Sequence, residues 1–262
     1  MSDDCLPATF FVVGASKAGT TFLASVLARH ADICMSQPKE TCYLSSYPGY
    51  GYHHYGEQYY RKCFAHWQGE VHRGDASVVY MWDPASPRLI EAHNPQARIL
   101  MSVRDPVARI VSSYSEFLKA GKSLPSLQEF VTGESPELAW VMERNDYSRY
   151  LQRYEERFGR DRLHVILHDR LQNEMQLTVG GVLDFLGLPA FQDDESLPST
   201  ANVSHRPRWI GLQKHLLRNR RLLWPLKRLL PARMINQLRP LKQGLEAANR
   251  GPKAADDELS AD

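Results

Sequence analysis

Apolar and polar positions fall along this chain in two different patterns, which take turns. Short apolar runs stand at Phe10 to Val13, Ile99 to Val103 and His164 to Leu167, each bounded by small or polar residues, as buried strands require. Between and after them, Thr20 to His30, Pro106 to Ala120, Tyr147 to Phe158 and Gln176 to Leu186 place apolar side chains three and four residues apart, the spacing of a helix that covers a sheet. Strand and helix patterns that take turns in this way predict an α/β fold, a parallel central sheet flanked by helices. In such a sheet, anion sites lie at the strand C-terminal ends.

Two segments depart from the pattern. "SSYPGYGYHHYGEQYYRKCF", Ser45 to Phe64, is crowded with tyrosine, glycine and histidine and keeps no sustained period. It reads as a long loop leading into a short helix, either a lid or binding surface or an aromatic packing loop. From Ser196 to Gly244 there is no acidic residue, while lysines and arginines punctuate leucine-rich sequence broken at Pro225 and Pro231. That predicts a basic helical extension over 209–245, following a domain over 1–208 and preceding a disordered tail over 246–262. Such helices suit peripheral contact with an anionic membrane surface or an acidic partner, or pack by their leucines with the charges solvated.

The 262 residues suit one substantial core rather than two full-sized domains. Thirty-two basic against 30 acidic residues give no global case for nucleic-acid binding. The start, "MSDDCLPATFFVVG", carries two acids where a signal peptide carries positive charge, and the expectation is a cytoplasmic protein. Cys5, Cys34, Cys42 and Cys63 form no C-x-x-C pair and no zinc spacing, so reduced thiols and no metal site are expected. Nothing in the pattern sets an oligomeric state.

The chemistry concentrates in two stretches. In "FFVVGASKAGTTFL" a strand breaks into small residues and resumes as helix, the layout of a phosphate cradle in which backbone N–H groups and the positive helix end face an anion. A nucleoside-triphosphate loop puts its lysine beside the hydroxyl residue. Here Gly14 and Gly19 keep that spacing, but Lys17 sits in mid-loop and Thr20 and Thr21 follow Gly19 directly. A small-molecule kinase is therefore disfavoured, and an ordinary glycine-containing β-α turn stays open. In "RILMSVRDPVARIVSSYSEFLKAG" a strand ends at Val103, Arg104 emerges, and Asp105-Pro106 caps a helix that carries Ser112. A guanidinium and a hydroxyl there suit a second phosphate, unless Arg104 simply pairs with a surface acid.

These residues resemble a known family. "GASKAGTTFL" is similar to the 5′-phosphosulfate loop, and "SVRDPVARIVSSY" to the 3′-phosphate motif, of sulfotransferases that use 3′-phosphoadenosine 5′-phosphosulfate (PAPS). The R-D-P-x-x-R-x-x-S-x-Y form most resembles the Golgi heparan sulfate sulfotransferases and their bacterial relatives. "QPKETCYLSS", "RGDASVVYM" and "VLDFLGLP" resemble further segments of that group in the same order, over roughly residues 9 to 208.

The resemblance implies a P-loop-type sulfotransferase fold and assigns roles. Lys17 contacts the donor's 5′-phosphate and bridging oxygen, with Ser16, Ala18, Gly19, Thr20 and Thr21 around the same phosphate. Arg104 and Ser112 bind the 3′-phosphate, and Arg208, in "NVSHRPRW", closes the nucleotide site. Glu40 stands where the heparan-type relatives carry their catalytic base, while the cytosolic small-molecule enzymes use a histidine, which leaves His53 and His54 as alternatives. Lys39, Tyr43, His54 and Asp75 are the acceptor contacts the resemblance suggests. The product is 3′,5′-ADP and no metal is needed.

The roles fit the chemistry. Negative charge grows on the departing phosphate oxygen, so a fixed cation acts most strongly in the transition state, and the attacking hydroxyl needs a base. Ala76 replaces the lysine of the heparan-type G-E-K-[ST]-P segment, which weakens a sulfated-polysaccharide acceptor. The cysteines of the Golgi disulfide are absent, since all four lie before residue 64. The tyrosine-rich stretch suggests a flat or apolar acceptor, although aromatics also stack on sugars. A non-catalytic nucleotide-binding adaptor is the remaining reading from another class.

Overall fold

The run Phe10–Val13 sends successive side chains to opposite faces of a strand, and both faces are dry. Phe11 and Val13 join one buried cluster with Tyr80, Ile99, Met101 and Tyr154. Phe10 and Val12 join a second with Leu23, Leu27, Leu100 and Val182. A strand buried on both sides is the mark of a parallel sheet covered by helices. Each fully buried aromatic or aliphatic side chain contributes about 1.5–3 kcal/mol through area removed from water.

The computed structural model describes residues 8–132 and 139–191, with the backbone of 205–207 and 250–253. The chain runs through β1 (Phe10–Gly14), α1 (Thr20–Leu27), β2 (Ile33–Met35), α2 (Tyr52–Cys63), β3 (His72–Asp75), α3 (Val79–Trp82), α4 (Ser86–His93), β4 (Arg98–Val103) and α5 (Pro106–Lys119). It continues through α6 (Leu127–Thr132), α7 (Ala139–Glu143), α8 (Tyr147–Phe158), β5 (Leu163–Leu167), α9 (His168–Asn173), α10 (Met175–Leu186), β6 (His205–Pro207) and β7 (Arg250–Lys253). Contacts divide it into two units, Met1–Arg109 with Trp140–Ala201, and Ile110–Ala139 with Asn202–Asp262.

The first unit holds a sheet of order β2-β3-β1-β4-β5 in which every neighbouring pair is parallel. From β1 the chain goes out to β2, returns to β3, and only then crosses to β4 on the other side. The direction of winding therefore reverses between β1 and β4, and their C-terminal ends form the crevice where open α/β sheets bind ligands. In the second unit, Phe130 meets the rings of Tyr114 and Phe117 at 5.0 and 6.2 Å, and β6 pairs antiparallel with β7.

The long elements follow the apolar periodicity, and α8 has the expected bounds, Tyr147–Phe158. Two strands do not announce themselves. β2 has three residues, and β3 reads His-Arg-Gly-Asp, whose polar side chains are hydrogen-bonded rather than solvated. Asp75, fully buried, accepts from the hydroxyls of Thr41 (2.7 Å), Ser77 (2.8 Å), Tyr80 (2.9 Å) and Tyr60 (3.2 Å). Gly74 is the one residue the space allows, because a β-carbon there would collide with the Phe10 ring and the Met35 sulfur.

The stretch expected as a long loop leading into a short helix is a loop over 45–51 followed by α2, which is longer than expected at 12 residues and is broken into two helical pieces by the non-helical backbone of Gly56 (φ 69°). β7 falls inside the tail expected over 246–262, and residues 209–249 lie outside the described residues. Among the described residues no helix is long and apolar enough to cross a membrane.

Candidate active site

The turn after β1 is shaped by two left-handed residues. Lys17 has φ 67° and Gly19 φ 79°, and Gly19 stands immediately before α1. Glycine enters that region without strain, whereas a lysine there costs roughly 1–3 kcal/mol that the surrounding structure must hold in place. A β-carbon at Gly19 would also lie 3.1 Å from the His168 ring and 3.2 Å from Leu171.

Neighbouring residues supply the hold. The Ala15 N–H donates to the Ser102 carbonyl at 2.5 Å, and the Ser102 hydroxyl donates to the Ala18 carbonyl at 2.5 Å, so β4 grips the turn at two points. Arg104 Nη1 donates to the Lys17 carbonyl at 3.1 Å. Arg109 Nη1 reaches the Ser16 hydroxyl at 3.5 Å. Arg109 is 1% exposed, with Nη2 on the Val141 carbonyl at 2.5 Å and Nε on the Asn145 side-chain oxygen.

The turn therefore presents its backbone and Lys17 while its small residues face inward. Ala18 is buried and can offer only its main chain; Ser16 and Lys17 are half-buried; Thr20 is buried and Thr21 exposed in the first turn of α1. That turn of α1 contains no acidic residue to compete for the positive helix end. The same element order places Arg104 at the end of β4, where the Asp105 carboxylate caps α5 by accepting from the Ala108 N–H at 2.7 Å. Burial pulls the Arg104 pKa down from its usual value, with Asp169 and Asp105 opposing. Burial raises that of the neighbouring Tyr147 hydroxyl, opposed by Arg109 and Arg104. The phenol, drawn to the Arg104 main chain, thus stands beside two guanidinium groups at the end of β4. Ser112 lies on α5, within the second unit.

Glu40 follows β2 and also sits left-handed, at φ 65°, with its N–H on the Ala76 carbonyl at 3.1 Å. Its side chain is 39% exposed and accepts from Lys39 Nζ at 3.1 Å. The pair is solvated, so it contributes little to stability and leaves carboxylate lone pairs open. Of the three described non-glycine residues at positive φ, two are Lys17 and Glu40 and the third is Cys42.

The expected acceptor contacts fare unevenly. Asp75 and Tyr43 are 0% and 1% exposed. Asp75 is saturated by hydroxyls and Tyr43 is stacked on Tyr60 at 4.5 Å, so both support the site from below and neither meets an acceptor directly. This corrects their assignment as acceptor contacts: the hydroxyl-rich neighbourhood of Asp75 keeps the carboxylate inside. His54 is exposed on α2, edge-on to Tyr55 at 4.8 Å. The His53 side chain and Arg208 lie outside the described residues. Among the described residues no group of three His, Cys, Asp or Glu is arranged to hold a metal ion. Sequence reasoning missed Ser102, Asn145 and Arg109. Only Arg109 left a signal, as the second arginine of R-D-P-x-x-R at a buried position of α5.

A glycine-shaped turn with a mid-loop lysine, braced by two arginines at the switch point of a parallel sheet, defines an α/β protein with basic residues at the crevice where such sheets bind ligands. The chain belongs to the sulfotransferase domain family, whose model matches residues 7–205. It is 34% identical over 125 residues to the membrane-associated sulfotransferase kil1 of Dictyostelium discoideum, covering 46% of this chain and 26% of that protein. It is 28% identical over 224 residues to heparan sulfate glucosamine 3-O-sulfotransferase 6 of Mus musculus, covering 78% of this chain and 62% of that one. The chain thus spans only part of these curated relatives.

Among solved structures it is similar to a sulfotransferase from Alicyclobacillus acidocaldarius, with 28% identity, a TM-score of 0.63, and 73% of this chain and 85% of that one covered. The sulfotransferase domain from the curacin biosynthetic pathway shares the fold, at 18% identity and a TM-score of 0.51, with 73% and 77% covered.

Proposed function

We propose that this chain transfers a sulfuryl group from PAPS to a hydroxyl of a glycan or small-molecule acceptor by in-line displacement. The observation that carries the reading is the hydrogen bond from Arg104 to the Lys17 carbonyl, which couples two basic residues at the β1/β4 crevice. The residues fit a doubly anionic nucleotide: a glycine-shaped turn opens onto a helix end free of acids, and two cations stand beside it. PAPS, when bound, supplies the activated sulfuryl group and a phosphate leaving group.

The protein's share is to bind, orient and move one proton. The turn from Ser16 to Gly19, with Thr20 and Thr21, holds the 5′-phosphate through N–H and hydroxyl donors, and Lys17 neutralises charge on the leaving oxygen. Arg104 takes the 3′-phosphate, which its planar donor pair suits. Glu40, left with open lone pairs beside Lys39, takes the acceptor hydroxyl proton at a side-chain oxygen. His54 remains the alternative base, supported by its exposure.

Calorimetry with 3′,5′-ADP and ADP tests the donor reading. 3′,5′-ADP is expected to bind at least tenfold tighter, about 1.4 kcal/mol. Equal affinities overturn it.

A further inference from the structure

Among the described residues Arg144 is held without an ion-pair partner. Its guanidinium carbon lies over two indoles, 4.0 Å from the Trp82 centroid and 4.3 Å from that of Trp140. It is half-buried, and among the described residues no hydrogen bond or ion pair engages its side chain. Burial pushes its pKa down and the neighbouring Arg109 lowers it further, while Tyr47, Tyr150 and the Glu143 carboxylate oppose. A guanidinium always stays charged at neutral pH, so a partly desolvated cation is retained here against two indole rings, with its N–H donors unengaged among the described residues.

The surroundings are fixed rather than accidental. Trp140 and Arg144 stand one turn apart at α7, and Asn145 and Val141 beside them clasp Arg109, which reaches Ser16 of the phosphate turn. Trp82 ends α3, just beyond the C-terminal end of β3. Asp83 next to it accepts from Ser45 Oγ at 2.7 Å and from the Ser46 N–H at 2.6 Å. Those bonds set Tyr47 edge-on to Trp82 at 4.7 Å. The link to the phosphate turn is Arg109, which Asn145 and Val141 hold beside Arg144 and which reaches Ser16, next to Lys17. Tyr47 is 45% exposed, Tyr50 45% and Trp140 36%, which leaves aromatic surface open around the charged edge.

Resting on the sulfuryl-transfer reading, we propose that Arg144, framed by Trp82, Trp140 and Tyr47, anchors an acceptor whose hydroxylated ring also bears a carboxylate or sulfate. The guanidinium edge pairs with the oxyanion through parallel N–H donors, and the exposed rings cover the flat face of the acceptor. An acidic sugar and a phenolic acid both offer that chemistry.

The test titrates the indole N–H resonances of Trp82 and Trp140 with matched probes: methyl β-glucuronide against methyl β-glucoside, and 4-hydroxybenzoate against phenol. The acidic member of one pair is expected to bind at least tenfold tighter than its neutral partner and to move both indoles. Which pair does so distinguishes the sugar from the phenolic source. Arg144→Gln should erase the preference and Arg144→Lys keep part of it, with dispersed amide spectra confirming the fold. Equal binding of acid and neutral, a preference that survives Arg144→Gln, or unmoved indoles overturn the proposal. Calorimetry with 3′,5′-ADP runs in parallel: a wild-type chain that does not bind it defeats the sulfuryl-transfer reading, while the indole titration still decides the platform.

Discussion

Arg104 Nη1 donates to the main-chain carbonyl of Lys17 at 3.1 Å, so the residue at the end of β4 holds the backbone that aims the lysine after β1. One substitution should therefore register at both ends of a bound nucleotide.

Arg104→Ala is expected to remove most of the preference for 3′,5′-ADP over ADP, and also to weaken ADP itself as the Lys17 turn loosens. Arg104→Lys should restore charge but little of the preference, because an ammonium lacks the guanidinium's fixed pair of donors. Calorimetric affinities of the two nucleotides for the three proteins check this; an unchanged ratio in Arg104→Ala removes Arg104 from the 3′-phosphate.

Glu40→Gln should lower kcat by about 100- to 10,000-fold, the span of general-base catalysis, with 3′,5′-ADP affinity within about twofold of wild type. His54→Asn should leave kcat near wild type. Reversal of the two results in a sulfate-transfer assay would move the base to α2.

Arg109→Ala should destabilise the fold by roughly 3 kcal/mol, since a fully buried cation bonded to Val141, Asn145 and Ser16 leaves three acceptors without their donor. Chemical denaturation measures it. Donor affinity should fall as well, because Ser16 belongs to the phosphate turn; a variant of wild-type stability contradicts the bracing role.

Burial lowers the His93 pKa to about 4, opposed by Glu57 on α2, while Phe11 and Tyr60 turn their rings to it. Between the ordinary histidine value and about 4, the unfolded chain binds a proton that the folded chain refuses. Stability is thus fully present above pH 6.5 and falls on acidification, by up to roughly 3 kcal/mol at pH 4. His93→Gln should lack this share of the acid sensitivity. Melting curves from pH 4 to 7 for both proteins check it, and parallel profiles contradict it.

The sequence by itself determined the parts governed by local spacing. Short apolar runs and period-3.6 apolar patterns set β1, β4, β5 and the covering helices, and G-x-x-K-x-G with R-D-P marked both basic residues at strand ends. It missed β3, because His-Arg-Gly-Asp is polar and its burial depends on hydroxyls from Thr41, Ser77, Tyr60 and Tyr80, drawn from as far as 34 residues away. For the same reason Asp75 and Tyr43 read as acceptor contacts until their burial was visible. The coupling of Arg104 to Lys17 spans 87 residues, and the contact of Arg144 with Trp82 and Trp140 joins α3 to α7. No periodicity reports such pairings: a side chain's partners and exposure are set by which strand ends the winding of the sheet brings together, and only the tertiary structure decided that.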